Sequence, residues 1–253
     1  MFGSVQRHKY RDPLRKLFYG VIGNPRIGEL ERAWRVLRAV RTLRLPAAPQ
    51  ILDAGCGEGS YSLWLSQRYP DGMVTAADTH QQTLDDVNVL AAQAGRTNIK
   101  ITTLDLEHLD AVSEYDLIIC VDVMEHIENH QRVMANLHRA LRPGGYLVLH
   151  VPQPQQRFLF VRRTFGPGHP HVREGYTPVE LERLLRGQGF AVVASEQSFG
   201  SLATLACEVD EILWTSKLYP VWLAMYPLLL LVGSWDISRP VRHGHGVLMV
   251  ARQ

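Results

Sequence analysis

The chain has 253 residues, of which 46% are hydrophobic and 21% charged, and its net charge is +2. That balance supports one sizeable buried core and excludes a disordered chain, while the small net charge selects no class of partner. The cysteines, Cys56, Cys120 and Cys207, are odd in number and widely spaced, so neither a disulfide framework nor a paired-cysteine metal site is expected, and the setting reads as cytoplasmic.

Charge is nevertheless uneven along the chain. Residues 1–45 carry eleven Lys/Arg against Asp12, Glu29 and Glu31. Such an arm either meets an anionic surface, membrane or nucleic acid, or is a solvated helix face. The apolar run 17–23 is short, runs into Asn24-Pro25-Arg26 and has no small-residue cleavage site, so no signal peptide is expected. From 31 to 45, Arg32, Arg35, Arg38, Arg41 and Arg44 recur beside Trp34, Leu37, Val40 and Leu43, which predicts a basic amphipathic helix ended by Pro46 and Pro49.

The next stretch begins at Ile51, ends its apolar run on Asp53, and opens into Gly55, Gly57 and Gly59. It predicts a buried strand handing over to a helix. Alternate glycines let the backbone turn tightly and let a ligand approach the main chain, with the helix N–H groups facing it. A nucleoside-type cofactor is the expected occupant, and Cys56 reads as a small residue tolerated in the turn rather than a nucleophile.

A helix over 61–69 stops at Pro70-Asp71-Gly72, and a strand over 73–77 ends on Asp78. A helix over 79–94 stops at Gly95, and a strand over 99–104 ends on Asp105. Residues 115–121 form a continuous apolar run, the pattern of a strand covered on both faces, with Asp122 just past it. A helix over 129–141 ends at Pro143-Gly144-Gly145, followed by a strand over 146–151. After a loop rich in Pro, Gly and His (152–175), Thr177, Pro178 and Glu180 carry a helix-start signature. Strands over 191–194 and 247–251 complete the pattern, and the long segment between them should carry structure of its own. The alternation implies a parallel, doubly wound α/β sheet.

The glycine spacing is one residue short of the dinucleotide fingerprint. Asp53-Ala-Gly55-Cys56-Gly57-Glu-Gly59, then Asp78, Asp105, the stretch from Tyr115 to Ile127 and Leu141-Arg-Pro-Gly-Gly-Tyr-Leu-Val148 together resemble the class I S-adenosylmethionine-dependent methyltransferases over about two hundred residues. The resemblance implies a Rossmann-like seven-stranded sheet. It also implies S-adenosylmethionine as cofactor on Asp53, Gly55, Cys56, Gly57 and Gly59, with Asp78 at the ribose hydroxyls, Asp105 at the adenine amino group, and Leu106 and Asp122 among the cofactor-binding residues. The physical reading agrees: ligands sit beyond the carboxyl ends of parallel strands, and a sulfonium cation gains from acidic surroundings where a pyrophosphate would not.

Asp122, Glu125 and His126 are spaced so that one turn of helix would put them on one side. The segment resembles that of the ubiquinone-type O-methyltransferases and, more distantly, the small-RNA 2′-O-methyltransferases, where acidic and His side chains gather a divalent cation. His169 and His171 lie in the loop where those families place a further histidine. The readings are His126 as a base or orienter of the acceptor hydroxyl with Glu125 and His171 in support, a metal site of Asp122, Glu125, His126 and His171, or a structural role.

Residues 218–235 carry no charge and include Tyr219, Trp222, Tyr226 and Trp235. Pro220 and Pro227 interrupt the run and its length is marginal for a membrane span, so a helical cap over an apolar substrate pocket, or a segment lying in a membrane interface, is expected instead. The expected organisation is a basic helical arm (1–48), a cofactor-binding core (49–199), an apolar helical insertion (200–244) and a final strand (245–253). The expected reaction is O-methylation of a small, apolar or lipid-linked acceptor, in the cytoplasm or at the inner membrane face through 1–45 and 218–235. The rivals are an RNA-modifying methyltransferase, a non-catalytic cofactor-binding module and a nicotinamide-dependent oxidoreductase. An RNA partner is disfavoured by the few aromatic residues in the arm.

Overall fold

The computed structural model of the chain describes residues 26–154, 156, 158–160, 171–237 and 239–253. The expectations for residues 1–25 and for His169 lie outside them. A seven-stranded sheet runs β3-β2-β1-β4-β5-β7-β6. Its strands are β1 (Gln50–Ala54), β2 (Met73–Asp78), β3 (Ile99–Thr103), β4 (Tyr115–Val121), β5 (Leu141–Pro152), β6 (Ala191–Ser198) and β7 (Gly246–Arg252). The helices among the described residues are α1 (Ile27–Thr42), α2 (Ser60–Arg68), α3 (Gln81–Gln93), α4 (His130–Ala140), α5 (Pro178–Gly187), α6 (Ser201–Thr215) and α7 (Tyr219–Ile237).

Alternate residues of the central strands feed two cores, which is why Ile51 and Leu52 of β1 and residues 117–121 of β4 are consecutive apolar residues. Leu52, Ile118, Leu147 and Leu149 pack with Val133, Leu137 and Leu181 of α4 and α5 on one face. Ile51, Leu117, Ile119 and Val148 pack with Val36, Val40 and Leu65 of α1 and α2 on the other. Thr177 closes a capping box with Glu180 at the start of α5, as its sequence signature predicts.

Two features depart from the expected pattern. First, β7 runs antiparallel between β5 and β6, so the sheet is mixed rather than wholly parallel. The cause is the path of the chain: Gly246 pairs with Ser198 and Pro152, the carboxyl ends of β6 and β5, so the chain re-enters the sheet at that end and must run back down. Helices α6 and α7 are thereby strung across the end of the sheet where ligands bind in such folds. Second, Pro143-Gly144-Gly145 does not precede β5 but lies within it, and the ladder to β4 shifts register between Tyr115 and Leu117.

The sheet order reverses between β1 and β4, so the crevice beyond their carboxyl ends is the switch point. The turns that follow these two strands carry the residues described next.

Candidate functional site

The turn after β1 is anchored from beneath, where the N–H groups of Gly55 and Cys56 both donate to the carbonyl of Ala77, at 2.9 and 2.8 Å. Gly55 has φ +76° and a Cβ there would lie 2.4 Å from the Val123 side chain, so packing against the β4 turn demands glycine. Gly57 has φ +48°, but a Cβ on it would meet nothing within 4 Å. One glycine lets two turns touch; the other leaves backbone open to a ligand. Gly59 then begins α2, and Cys56 is buried with its thiol pushed far above the ordinary range by burial and by the nearby Asp53 and Asp78.

The strand-end acids do different work. Asp53 is only 2% exposed and accepts a 2.5 Å hydrogen bond from Ser62 Oγ of α2. Burial raises its carboxyl to about 7 despite that bond. Asp78 accepts hydrogen bonds from the N–H groups of Gly57 and His80, each at 3.0 Å, and so ties the glycine turn to the end of β2. Asp105 caps the 3-10 turn Leu106–His108, where the N–H of Glu107 at 2.9 Å holds its carboxyl below the usual range. Leu106 is buried beside it.

Asp122 follows β4 with φ +52°, outside any helix. Its Oδ1 lies 2.5 Å from His150 Nδ1, and its Oδ2 forms an ion pair with Arg32 of α1. Burial pulls this carboxyl up, but Arg32 and His150 outweigh it and hold it well below the usual range. His150 is buried and its Nε2 meets Ser198 Oγ at 2.8 Å, which makes a continuous chain from α1 through β4 and β5 to β6.

Glu125 and His126 lie one short turn further on, in the 3-10 turn Met124–His126. Arg173 braces this turn by donating to the carbonyls of Met124, Ile127 and Glu128, and the N–H groups of Val172 and Arg173 donate to the Glu125 carbonyl. The His126 and His171 rings stand edge to face with centroids 4.5 Å apart, and His126 Nε2 is 4.0 Å from Glu125 Oε1. Potential ligand atoms of Glu125, His126 and His171 all lie within 4.8 Å of one another. Glu125 is 1% exposed, its Oε2 is buried without a hydrogen-bond partner, and burial reinforced by the charge of Asp122 raises its carboxyl to about 8. The expected grouping is therefore corrected in one member: the left-handed backbone at Asp122 breaks the helical register, and its carboxylate turns to Arg32 and His150 instead of joining the cluster.

The arm also differs from expectation. Arg26 pairs with Asp210 and Glu211 of α6, Arg35 with Glu31 at 2.5 Å, and Arg38 with Glu196 of β6. Arg35 is 1% exposed and also donates to the carbonyl of Asp236 at the end of α7. Arg26 just before α1 and Arg32 and Arg35 within it therefore clasp α6, the turn after β4 and the end of α7, while Arg38 and Arg41 remain exposed on a solvated face. The regular three-residue recurrence of arginine hid this, because all of these acids except Glu31 are distant in sequence. His150 had a visible signal, a lone histidine at the end of an apolar strand; Ser198 had none.

A cleft with about 90 Å³ of accessible space opens between these elements, lined by Arg32, Asp122, His150, Phe158, Phe199 and Cys207 among others. Glu125, His126 and His171 do not line it. Asp122 links the two places, since it lines the cleft and its charge acts on both Glu125 and His171.

A family described as a methyltransferase domain matches residues 28–195, most of the chain. A ubiquinone biosynthesis O-methyltransferase of Rickettsia bellii (strain OSU 85-389) is 36% identical over 102 residues, 40% of this chain and 40% of the relative. A trans-aconitate 2-methyltransferase of Azoarcus sp. (strain BH72) is 30% identical over 138 residues, 51% of this chain and 52% of the relative. The matched stretch thus spans only about half, or less, of these relatives. An S-adenosylmethionine dependent methyltransferase of Mesorhizobium loti shares the fold, with a TM-score of 0.56 and 22% identity over 87% of this chain and 97% of that one. The glycine turn, the sheet order and the family match over residues 28–195 lead to one conclusion: the chain belongs to the methyltransferase-domain family.

Proposed function

We propose that the chain methylates a hydroxyl oxygen of a small, neutral, apolar or lipid-linked acceptor that enters the cleft lined by Arg32, Asp122, Phe158 and Phe199. The observation that carries this reading is the internal neutralisation of the cleft. Arg32 is matched by Asp122, Arg26 by Glu211, and the Glu208 carboxylate accepts the N–H groups of Leu159 and Phe160 at 2.7 Å. Each lining carboxylate is thus already engaged by a partner, and Phe158, Phe199, Pro152 and Cys207 offer apolar contact. The name of the Rickettsia relative, an O-methyltransferase of ubiquinone biosynthesis, supports the same acceptor class.

S-adenosylmethionine would be held over the glycine turn at Gly57, with Asp78 and Asp105 as the residues for its ribose and adenine. Asp53, being buried, positions α2 through Ser62 rather than touching the ligand. Asp122 precedes Val123, the residue packed on Gly55, so the cleft adjoins the donor side. Methyl transfer from a sulfonium needs alignment and exclusion of water more than side-chain chemistry. The acceptor hydroxyl has to reach past Asp122, out of the lined part of the cleft, to the turn Met124–His126, where His126 takes its proton with Glu125 and His171 beside the ring. His126→Ala should lower kcat about 10²–10³-fold while leaving affinity for S-adenosylhomocysteine unchanged. Labelled S-adenosylmethionine incubated with fractionated extract tests the acceptor: label in hydroxyl-bearing lipids supports the reading, and label confined to amines, RNA or ionic metabolites defeats it.

One observation favours a second reading of the same cluster. The buried, unpartnered Oε2 of Glu125 beside two imidazoles is a donor set that suits a divalent cation, held by Glu125, His126 and His171. When bound, such a cation would acidify the acceptor hydroxyl. Calorimetric titration with Mn²⁺ separates the two: saturable binding lost in Glu125→Gln supports the cation, and no heat rejects it.

A further inference from the structure

Helix α7 has two apolar sides, and among the described residues only one has a partner. Trp222, Tyr226 and Leu229 face inward and pack with Ala206, Leu213 and Ile27. Trp222 Nε1 donates to Asp210 at 2.7 Å, which fixes the helix against α6. The opposite side presents Tyr219, Leu223, Leu228, Leu231 and Trp235, with Leu228 54% and Leu231 64% exposed. Helical spacing gathers these on one continuous strip, since they fall within half a turn of each other around the axis. No charged residue interrupts it from Leu218 to Trp235.

The strip ends in positive charge at both ends. Lys217 precedes the helix, and Arg239 and Arg242 follow it; all three are exposed. Arg239 lies over the Trp235 ring at 4.4 Å, so its charge is held at the edge of the apolar strip. The one acid in this stretch, Asp236, turns inward, where its Oδ2 accepts the N–H of Ala203 at 2.8 Å. Exposed apolar side chains bounded by cations and by Tyr219 and Trp235 complement an anionic bilayer surface, with aromatic rings at headgroup depth and cations beside the phosphates.

Pro227 lies on the same exposed strip and leaves the carbonyl of Leu223 without its helical donor. That carbonyl is satisfied at a wet interface but not in a hydrocarbon interior. No helix among the described residues is long and apolar enough to cross a membrane. We propose that the outer face of α7 seats the protein on an anionic lipid surface, with the helix lying in the interface plane. Helix α6 then connects the two surfaces, because its Thr204, Cys207 and Glu208 line the cleft while its Asp210 and Leu213 hold α7.

Flotation of the full chain with vesicles of phosphatidylcholine and phosphatidylglycerol tests this without any turnover, so its failure is distinct from failure of the acceptor reading. The wild type should float with these vesicles at low salt, less at high salt, and weakly with phosphatidylcholine alone. The triple variant Leu223→Ser, Leu228→Ser, Leu231→Ser should bind about tenfold or more weakly while keeping its Tm and its affinity for S-adenosylhomocysteine. Lys217→Glu with Arg239→Glu, which leaves the apolar strip intact, should abolish the preference for anionic vesicles. Absence of flotation at low salt overturns the proposal, as does equal binding by either variant. Sedimentation velocity showing a wild-type dimer that the triple variant dissolves, without vesicle binding, assigns the strip to a second copy of the chain and overturns it equally.

Discussion

The half of the molecule built on β1 to β4, the proposed donor half, and the half built from α1, α6 and α7, the proposed acceptor half, are organised by different means. In the donor half the backbone does most of the work: Gly55 packs on Val123, Gly57 lies open, and Asp78 ties the turn to β2. In the acceptor half, side-chain charges brought from far along the chain neutralise one another, as Arg32 does with Asp122 and Arg26 with Asp210. Backbone geometry suits a ligand that every member of a fold shares. Paired side chains can be exchanged, and they suit the ligand that differs.

The contrast is broken most directly at Arg35. Removing its guanidinium leaves Glu31 buried beside the end of α7, so Arg35→Ala should cost about 3–5 kcal/mol in thermal or denaturant unfolding. A loss near zero would show that the clasp is ornamental and that the acceptor half stands on apolar packing alone. Next come the two glycines. Gly55→Ala combines a left-handed φ with a clash on Val123 and should cost about 2–4 kcal/mol of stability. Gly57→Ala has room for its methyl and should cost about 1 kcal/mol, yet weaken binding of S-adenosylhomocysteine in calorimetry. If Gly57→Ala binds the cofactor normally, the open backbone there is not the donor site.

The smallest effect is a dependence on pH. Asp53 has a folded value of about 7 against an ordinary 3.8. Its contribution to stability is therefore complete below about pH 4 and lost as pH rises through 7. Asp53→Asn should equal the wild type near pH 4 and exceed its Tm near pH 8. A gap that does not change with pH would mean that Asp53 stays charged in the fold.

The donor half was largely legible in the sequence because its signals are local. A glycine turn, an acid at each strand end and the uninterrupted run 115–121 each report their own structure within a few residues. The strand β4 falls at Tyr115–Val121 as its apolar run predicts. The acceptor half was not, because its determinants are pairs separated by long stretches of chain. Arg32 reads as one of five evenly spaced arginines until Asp122 is beside it. The same holds for β7, whose apolar run reveals a strand but not its direction, which follows from where α6 and α7 return the chain. Asp122 was misplaced for a local reason, since carboxylate spacing predicts a shared helical face only where the backbone is helical.

The position of β7 also bears on how the molecule reaches this state. Among the described residues it supplies the backbone pairing that joins β5 to β6, with Leu149 on one side of Met249 and Ser195 on the other. Until it inserts, both neighbours are open edges, and it cannot insert before α6 and α7 have closed a long loop. Folding should therefore be slow at its last step, and the species waiting for β7 is the one most exposed to mispairing. The segment that shapes the acceptor side thus also sets the pace at which the sheet is completed.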